Sequence, residues 1–70
     1  MSMARIVIGI GGMSCQGCVK NVTGVLRDLT GVESVEVSLD AGQASIDYDP
    51  AIADVAQFKA AVEAAGFDAL

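Results

Sequence analysis

The chain has 70 residues, with four Lys and Arg against nine Asp and Glu, and its formal net charge is −5. This length allows one domain, predicted here as residues 1–70, and the acidic balance argues against nucleic acid or an anionic membrane surface as the main partner. Hydrophobic residues make up 53% of the chain, yet no apolar run approaches the about 20 residues of a membrane span. Because no signal-peptide pattern is found at the N-terminus, a cytoplasmic location is expected.

The first half of the chain changes from strand to helix periodicity. Ile6, Ile8 and Ile10 alternate along residues 4–10, which predicts a strand that Gly11 and Gly12 end. From about residue 18 to residue 30 the apolar residues recur at helical spacing, and Gly31 is expected to cap the helix. The apolar stripe consists of Val19, Val22, Val25, Leu26 and Leu29.

The second half predicts a hairpin, a helix and a short strand. Residues 32–39 and 44–49 both alternate, and residues 40–43 form the short turn between them. Asp54, with Gln57 three residues later, predicts an N-cap and capping box for a helix that Gly66 closes. Residues 67–70 then predict a short final strand. The stripe of this second helix consists of Val55, Phe58, Val62 and Ala65.

The element order is therefore strand, helix, strand, strand, helix, strand. Two such βαβ-like halves predict an α+β protein with the ferredoxin-like βαββαβ arrangement. We expect a four-stranded antiparallel sheet with both helices on one face, and a more polar opposite face.

The two cysteines, Cys15 and Cys18, are separated by two residues where the strand pattern gives way to the helix pattern. A helix N-terminus stabilises thiolates and lowers their pKa. Thiolates select soft ions such as Cu(I), Zn(II), Hg(II) or iron–sulfur clusters. Structural zinc usually has four protein ligands. Since the chain has two cysteines and no histidine, an ion that accepts two ligands, as Cu(I) does, fits best.

Three segments resemble the heavy-metal-associated domain family, which includes copper chaperones and the N-terminal domains of copper-exporting P-type ATPases. They are GMSCQGCV at residues 12–19, LxxLxGV at residues 26–32 and AAGFDA at residues 64–69. The resemblance implies that Cys15 and Cys18 bind one Cu(I) almost linearly in an exposed loop. It further implies that the ion passes by thiolate exchange to a partner such as a copper-exporting P-type ATPase, without enzymatic turnover. The chain is expected to be a monomer without metal, and a Cu(I)-bridged dimer is compatible with two exposed sites.

Four residues are expected near the site. Met13 is either a third sulfur ligand or a flexible core residue, and the core interpretation is favoured. Zinc and cadmium members of the family often have an acidic residue where this chain has Ser14, which favours a monovalent soft ion. Gly17 is expected to supply backbone freedom. Phe67 is either an apolar lid beside the loop or a core residue.

Lys20 and Arg27 are predicted on the solvent side of the first helix, seven residues apart. A solvated helix face explains them most simply. A docking patch for an acidic partner domain is the more specific hypothesis.

Three other functions stay open at this point. The same site suits the N-terminal metal-binding domain of a P-type ATPase, although the length from Met1 favours a free-standing chaperone. It also suits a Hg(II)-binding domain of the same family. A thiol–disulfide oxidoreductase is disfavoured because the chain is short for a thioredoxin fold and has no aromatic residue directly before the CxxC.

Overall fold

The computed structural model describes residues 3–70; the predicted domain also includes Met1 and Ser2, which lie outside the described residues. The elements are β1 (Ala4–Gly11), α1 (Gln16–Arg27), β2 (Val32–Ser38), β3 (Gln43–Tyr48), α2 (Val55–Ala64) and β4 (Asp68–Ala69). The strands form one antiparallel sheet in the order β2-β3-β1-β4, and both helices lie on one face. This architecture confirms the predicted ferredoxin-like fold.

The core lies between the two helices and one face of the sheet. Alternation along β1 buries Ile8 and Ile10 and leaves Val7 exposed on the open face. The rings of Tyr48 and Phe58 meet edge to face with their centroids 4.8 Å apart, which joins β3 to α2. The largest fully buried side chains are Phe58, Leu26, Ile46, Val22 and Val62. No helix within residues 3–70 has the length and apolar content needed to cross a membrane.

Helix α1 begins earlier than the predicted residue 18. Cys15 is its N-cap, with an extended backbone at φ −153° and ψ 166°, and Gln16 and Gly17 form the first turn. The apolar periodicity begins only at Val19, so it could not indicate this polar first turn. Both cysteines therefore belong to the start of the helix.

Helix α1 also ends earlier than the predicted residue 30. Leu29, the last residue of the predicted apolar stripe, lies in the turn that follows the helix. Asp28 is the C-cap, and the Leu29 N–H donates to the Leu26 carbonyl at 3.2 Å. Leu29 still packs against the core. The apolar pattern in the sequence therefore continues past the last residue of the helix. Gly31 is not the cap that the sequence predicted; it ends the turn with φ +94°.

The hairpin of β2 and β3 contains a β-bulge. Val32 pairs with Tyr48 and Ser34 pairs with Asp47, which leaves Glu33 as the extra residue. On the open face the Ser34 hydroxyl donates to Asp47 Oδ2 at 2.8 Å. The predicted alternation is otherwise observed along both strands.

Helix α2 has both predicted caps. Asp54 Oδ1 accepts from the Gln57 N–H at 2.9 Å, and Gln57 Oε1 accepts from the Asp54 N–H at 3.1 Å, which is a complete capping box. At the other end Gly66 has φ +95°, and its N–H donates to the Glu63 carbonyl. The Phe67 N–H donates to the Val62 carbonyl at 3.2 Å. These two bonds are the Schellman motif, which fixes the direction of Phe67.

Candidate metal centre

The metal loop, defined as residues 12–18, joins β1 to α1. Gly12 has φ +92°, a conformation that turns the chain out of β1 and that side-chain-bearing residues rarely adopt. The Cys15 carbonyl accepts from the N–H groups of Cys18 at 3.1 Å and Val19 at 3.3 Å. These bonds start the helix, so one cysteine lies just before its first turn and the other lies within it.

The helix start brings the two sulfurs together. Cys15 Sγ and Cys18 Sγ are 3.0 Å apart, close enough for a hydrogen bond in which either atom is the donor. Both cysteines are free thiols; Cys15 is exposed and Cys18 is half-buried. A soft ion or the thiolate of another protein can therefore reach the pair directly.

The loop favours the thiolate form of Cys18. The hydrogen bond from the Cys15 side chain has the largest effect, and the backbone N–H of Ser14 adds to it. Both lower the pKa of the Cys18 thiol from its ordinary value, because they stabilise the charged form. Partial burial opposes this shift and is outweighed. A lower pKa makes the thiolate easier to form, and the thiolate is the form that binds metal ions.

Within residues 3–70, no group of three or more His, Cys, Asp or Glu side chains is arranged to hold a metal ion. The arrangement therefore offers two sulfurs and open access.

Met13, Ser14 and Gly17 occupy different environments in the loop. Met13 is half-buried and packs against the hydrophobic core, whereas Ser14 is exposed. A Cβ on Gly17 would lie 3.8 Å from Cys15 Sγ, an ordinary contact distance. Gly17 thus leaves open space beside the first sulfur.

Phe67 is held beside the loop by the end of α2. The residue is half-buried and packs against the core. A Cβ on Gly12 would lie 3.7 Å from Phe67 Cδ1, so the ring lies beside the beginning of the metal loop. The structure thus places Phe67 next to the loop and against the core at once.

Lys20 and Arg27 are both exposed on α1, but they lie at different distances from the thiols. Lys20 follows Cys18 by two residues. Arg27 follows it by nine residues, about 14 Å along the axis at about 1.5 Å per residue. Of these two cations, Lys20 is therefore the nearer to the thiols along the helix.

One residue that supports the loop was not found by sequence reasoning. The Gly42 carbonyl accepts from the Ile10 N–H at 2.7 Å, so the turn between β2 and β3 holds the end of β1 just before the loop. Gly42 has φ +63°. In the sequence, Gly42 indicated a turn, but only the tertiary structure shows which strand that turn supports.

Comparisons with known proteins agree with this arrangement. The family model for the heavy-metal-associated domain matches residues 7–68. The copper chaperone CopZ of Staphylococcus haemolyticus is 44% identical over 66 residues, covering 94% of this chain and 97% of that protein. Copper-transporting ATPase 1 of Rattus norvegicus is 40% identical over 66 residues, covering 94% of this chain. The chain spans only 4% of the length of that ATPase.

Solved structures show the same fold. A structure of the CopZ metallochaperone has a TM-score of 0.94 and 36% identity, covering 96% of this chain and all of that one. Oxidized MerP from Ralstonia metallidurans CH34 has a TM-score of 0.93 and 25% identity, covering 99% and 96% of the two chains. The family model matches most of the length of this chain, and the chain has a CxxC at the start of α1. This chain therefore belongs to the heavy-metal-associated domain family.

Proposed function

We propose that this chain is a copper carrier that binds one Cu(I) between Cys15 and Cys18. The observation that carries the proposal is the exposed pair of sulfurs, 3.0 Å apart, at the start of α1. A low ligand number and thiolate donors suit Cu(I) better than ions that need oxygen or four ligands. The names of the CopZ relatives and of the copper-transporting ATPases support copper as the cargo.

Uptake of the ion requires the sulfurs to separate. Thiolates bind first-row metal ions at about 2.3 Å, so two sulfurs on opposite sides of one ion are about 4.6 Å apart. The present 3.0 Å separation suits a hydrogen bond between the two sulfur atoms. Because Cys15 is exposed, rotation of its side chain can open the pair while Cys18 stays in the helix.

Delivery would occur by ligand exchange with a partner that has its own CxxC, such as the metal-binding domain of a copper-exporting P-type ATPase. A thiolate of the partner attacks the ion, one thiolate of this chain leaves, and a second exchange completes the transfer. No bond of the polypeptide changes, so we propose binding and transfer without enzymatic turnover. This role places the chain in the cytoplasm, as a chaperone or as a domain of an ATPase.

The binding proposal is tested by anaerobic titration of the reduced protein with Cu(I) against a chromophoric chelator. We expect one Cu(I) per chain, poor competition by Zn(II), and loss of binding in the variant Cys15→Ser, Cys18→Ser. Met13→Leu is the matched control, because it removes the third sulfur near the loop without changing the thiols. Weaker Cu(I) binding by Met13→Leu would mean that the thioether is a ligand.

Mercury is the second candidate cargo, because a pair of thiolates does not by itself distinguish between soft ions. Hg(II) also accepts two thiolates. The same titration with Hg(II) separates the two hypotheses, because a chain that retains Hg(II) but fails to take Cu(I) from the chelator is not a copper carrier.

Transfer depends on docking as well as on binding. We propose that Lys20 lies in the docking surface, with Arg27 at its edge. Lys20→Glu should slow Cu(I) transfer to an isolated ATPase metal-binding domain by about tenfold at low salt, with Cu(I) affinity unchanged. Lys59→Glu is the control, because it makes the same charge change at an exposed position on α2. Equal slowing by both variants would show a general effect of net charge instead of a docking surface.

A further inference from the structure

A groove lies at the end of the molecule opposite the metal loop. It has a volume of about 580 Å³ and is lined by Met3, Gly31, Val32, Glu33, Asp49 and Ile52. These residues precede β1, follow α1 and follow β3, whereas the metal loop follows β1 and precedes α1. The eight residues of β1 separate the two ends by about 26 Å at about 3.3 Å per residue. The groove is therefore a surface distinct from the metal site.

The walls of the groove are apolar and partly exposed. Four large hydrophobic side chains are exposed among residues 3–70, and two of them, Met3 at 51% and Ile52 at 54%, line the groove. The turn after α1 holds the Ile52 wall in place. A Cβ on Gly31 would lie only 2.8 Å from Ile52 Cγ2, so the backbone and this side chain are in close contact. The apolar wall is thus built into the fold.

Two carboxylates complete the lining. Glu33 is exposed at the β-bulge, and Asp49 is positioned by a bond from the Ala51 N–H to its Oδ1 at 2.9 Å. The Asp49 N–H donates to the Gly31 carbonyl at 2.8 Å, which ties the acid to the same turn. Among residues 3–70 the ion pair is between Arg5 and Asp47. Glu33 and Asp49 therefore have no cationic partner in this part of the chain.

We propose that this groove binds a basic, apolar segment of a partner protein. An aliphatic side chain of the segment contacts Met3 and Ile52, and a Lys or Arg side chain reaches Glu33 and Asp49. The long stems of Lys and Arg suit this lining, because they cover apolar surface while their charged ends meet the carboxylates. The volume lies within the about 300–1,000 Å³ of ligand sites. An acidic segment would meet two like charges.

Binding there leaves the metal loop free. A partner that holds this end of the domain raises the local concentration of the thiol pair near its own metal site, without covering Cys15 or Cys18. The inference goes beyond metal binding and does not depend on it. Exposed ion pairs contribute little each, so we expect a dissociation constant of about 0.1–1 mM for a short segment.

The test is titration of the ¹⁵N-labelled, metal-free protein with an acetylated and amidated peptide of sequence Leu-Lys-Ala-Leu-Lys, followed by amide chemical shifts. We expect saturable shifts at Gly31, Glu33 and Ile52, and none at Cys15 or Cys18. The peptide Leu-Glu-Ala-Leu-Glu should leave all of these amides unchanged. The result should be the same in the variant Cys15→Ser, Cys18→Ser, which separates this test from that of the metal site.

A pair of charge variants locates the binding. Glu33→Gln with Asp49→Asn should weaken binding of the basic peptide about tenfold, while the asparagine keeps the acceptor for the Ala51 N–H. Glu36→Gln with Asp40→Asn removes two charges at exposed positions outside the groove and should change binding less than about twofold. Equal weakening by both pairs, shifts centred elsewhere, or no shifts at about 1 mM peptide would overturn the proposal.

Discussion

The Phe67 ring lies beside Gly12, 3.7 Å from where a Cβ would stand on that glycine, although 55 positions separate the two residues in the chain. The Schellman motif at the end of α2 directs the Phe67 ring toward the point where β1 gives way to the metal loop. The loop is therefore attached to three elements: β1 before it, α1 after it and α2 beside it. This attachment leads to the first two predictions.

Gly12→Ala should destabilise the protein by about 1–2 kcal/mol, because alanine is strained at φ +92°. Gly24→Ala is the matched comparison, since Gly24 lies within α1 and a Cβ there would meet no atom within 4 Å. That change should raise the free energy of unfolding by about 0.5–1 kcal/mol, because alanine favours the helix. Urea denaturation of both variants measures the two effects. A change of the free energy of unfolding in the same direction in both variants would contradict the argument.

Phe67→Ala should lower the free energy of unfolding by about 1–3 kcal/mol, because a half-buried aromatic ring loses its contacts with the core. The same change removes the apolar neighbour of the metal loop. We expect Cu(I) to pass to a chelator faster from this variant, as followed by stopped-flow absorbance. Phe67→Leu should restore most of the stability, and an unchanged exchange rate in Phe67→Ala would show that the ring serves the core alone.

The pKa of the Cys18 thiol should lie below that of an ordinary cysteine, since hydrogen bonds from Cys15 and Ser14 stabilise the thiolate. Cys15→Ala removes the largest cause, so the pKa of Cys18 should rise. The rate of alkylation by iodoacetamide, measured against pH with peptide mass spectrometry, gives the pKa of Cys18 in the unmodified protein and in Cys15→Ala. An unchanged midpoint in Cys15→Ala would contradict the proposed cause.

The same shift makes the stability of the metal-free protein depend on pH. The thiol has a lower pKa in the folded than in the unfolded chain, so the unfolded chain binds more protons between the two values. The stabilisation from this group should therefore be complete above the pKa of the unfolded chain, and it should be lost as the pH falls through the lower pKa of the folded chain. Cys18→Ala should remove this dependence in urea denaturation over that pH range.

Asp54→Ala should destabilise the protein by about 1 kcal/mol, because it removes the side chain that accepts from the Gln57 N–H at the start of α2. Asp54→Asn keeps an acceptor and should cost much less. Asp40→Ala removes the same charge from an exposed turn and should change stability by less than about 0.5 kcal/mol. Thermal unfolding of the three variants checks the order, and an equal loss in all three would point to net charge instead.

Local patterns were sufficient to predict most of the fold. Alternation along β1 and β3, and the capping box of α2, depend on neighbours in sequence, and the structure confirms them. The end of α1 was predicted wrongly because Leu29 reaches the core from a turn, where burial continues after helical hydrogen bonding has stopped. Periodicity reports burial, and it cannot tell these two cases apart.

The candidate site divides in a similar way. Spacing alone placed Cys15 and Cys18 at the start of a helix, but the 3.0 Å separation of the sulfurs depends on the N-cap geometry of Cys15. The position of the Phe67 ring beside Gly12 depends on the packing of α2 against the sheet. The groove beside Met3 and Ile52 gave no sequence signal, because its walls come from three separate segments.

The β-bulge at Glu33 has a consequence for encounters between copies of this fold. Strand β2 is an edge of the sheet, and an uninterrupted edge can be extended by the edge strand of another molecule. The extra residue breaks the regular spacing of N–H and C=O groups, and the charges of Glu33 and Glu36 repel an approaching acidic neighbour. This edge can thus meet other molecules of the same fold repeatedly without the sheet growing into a fibre.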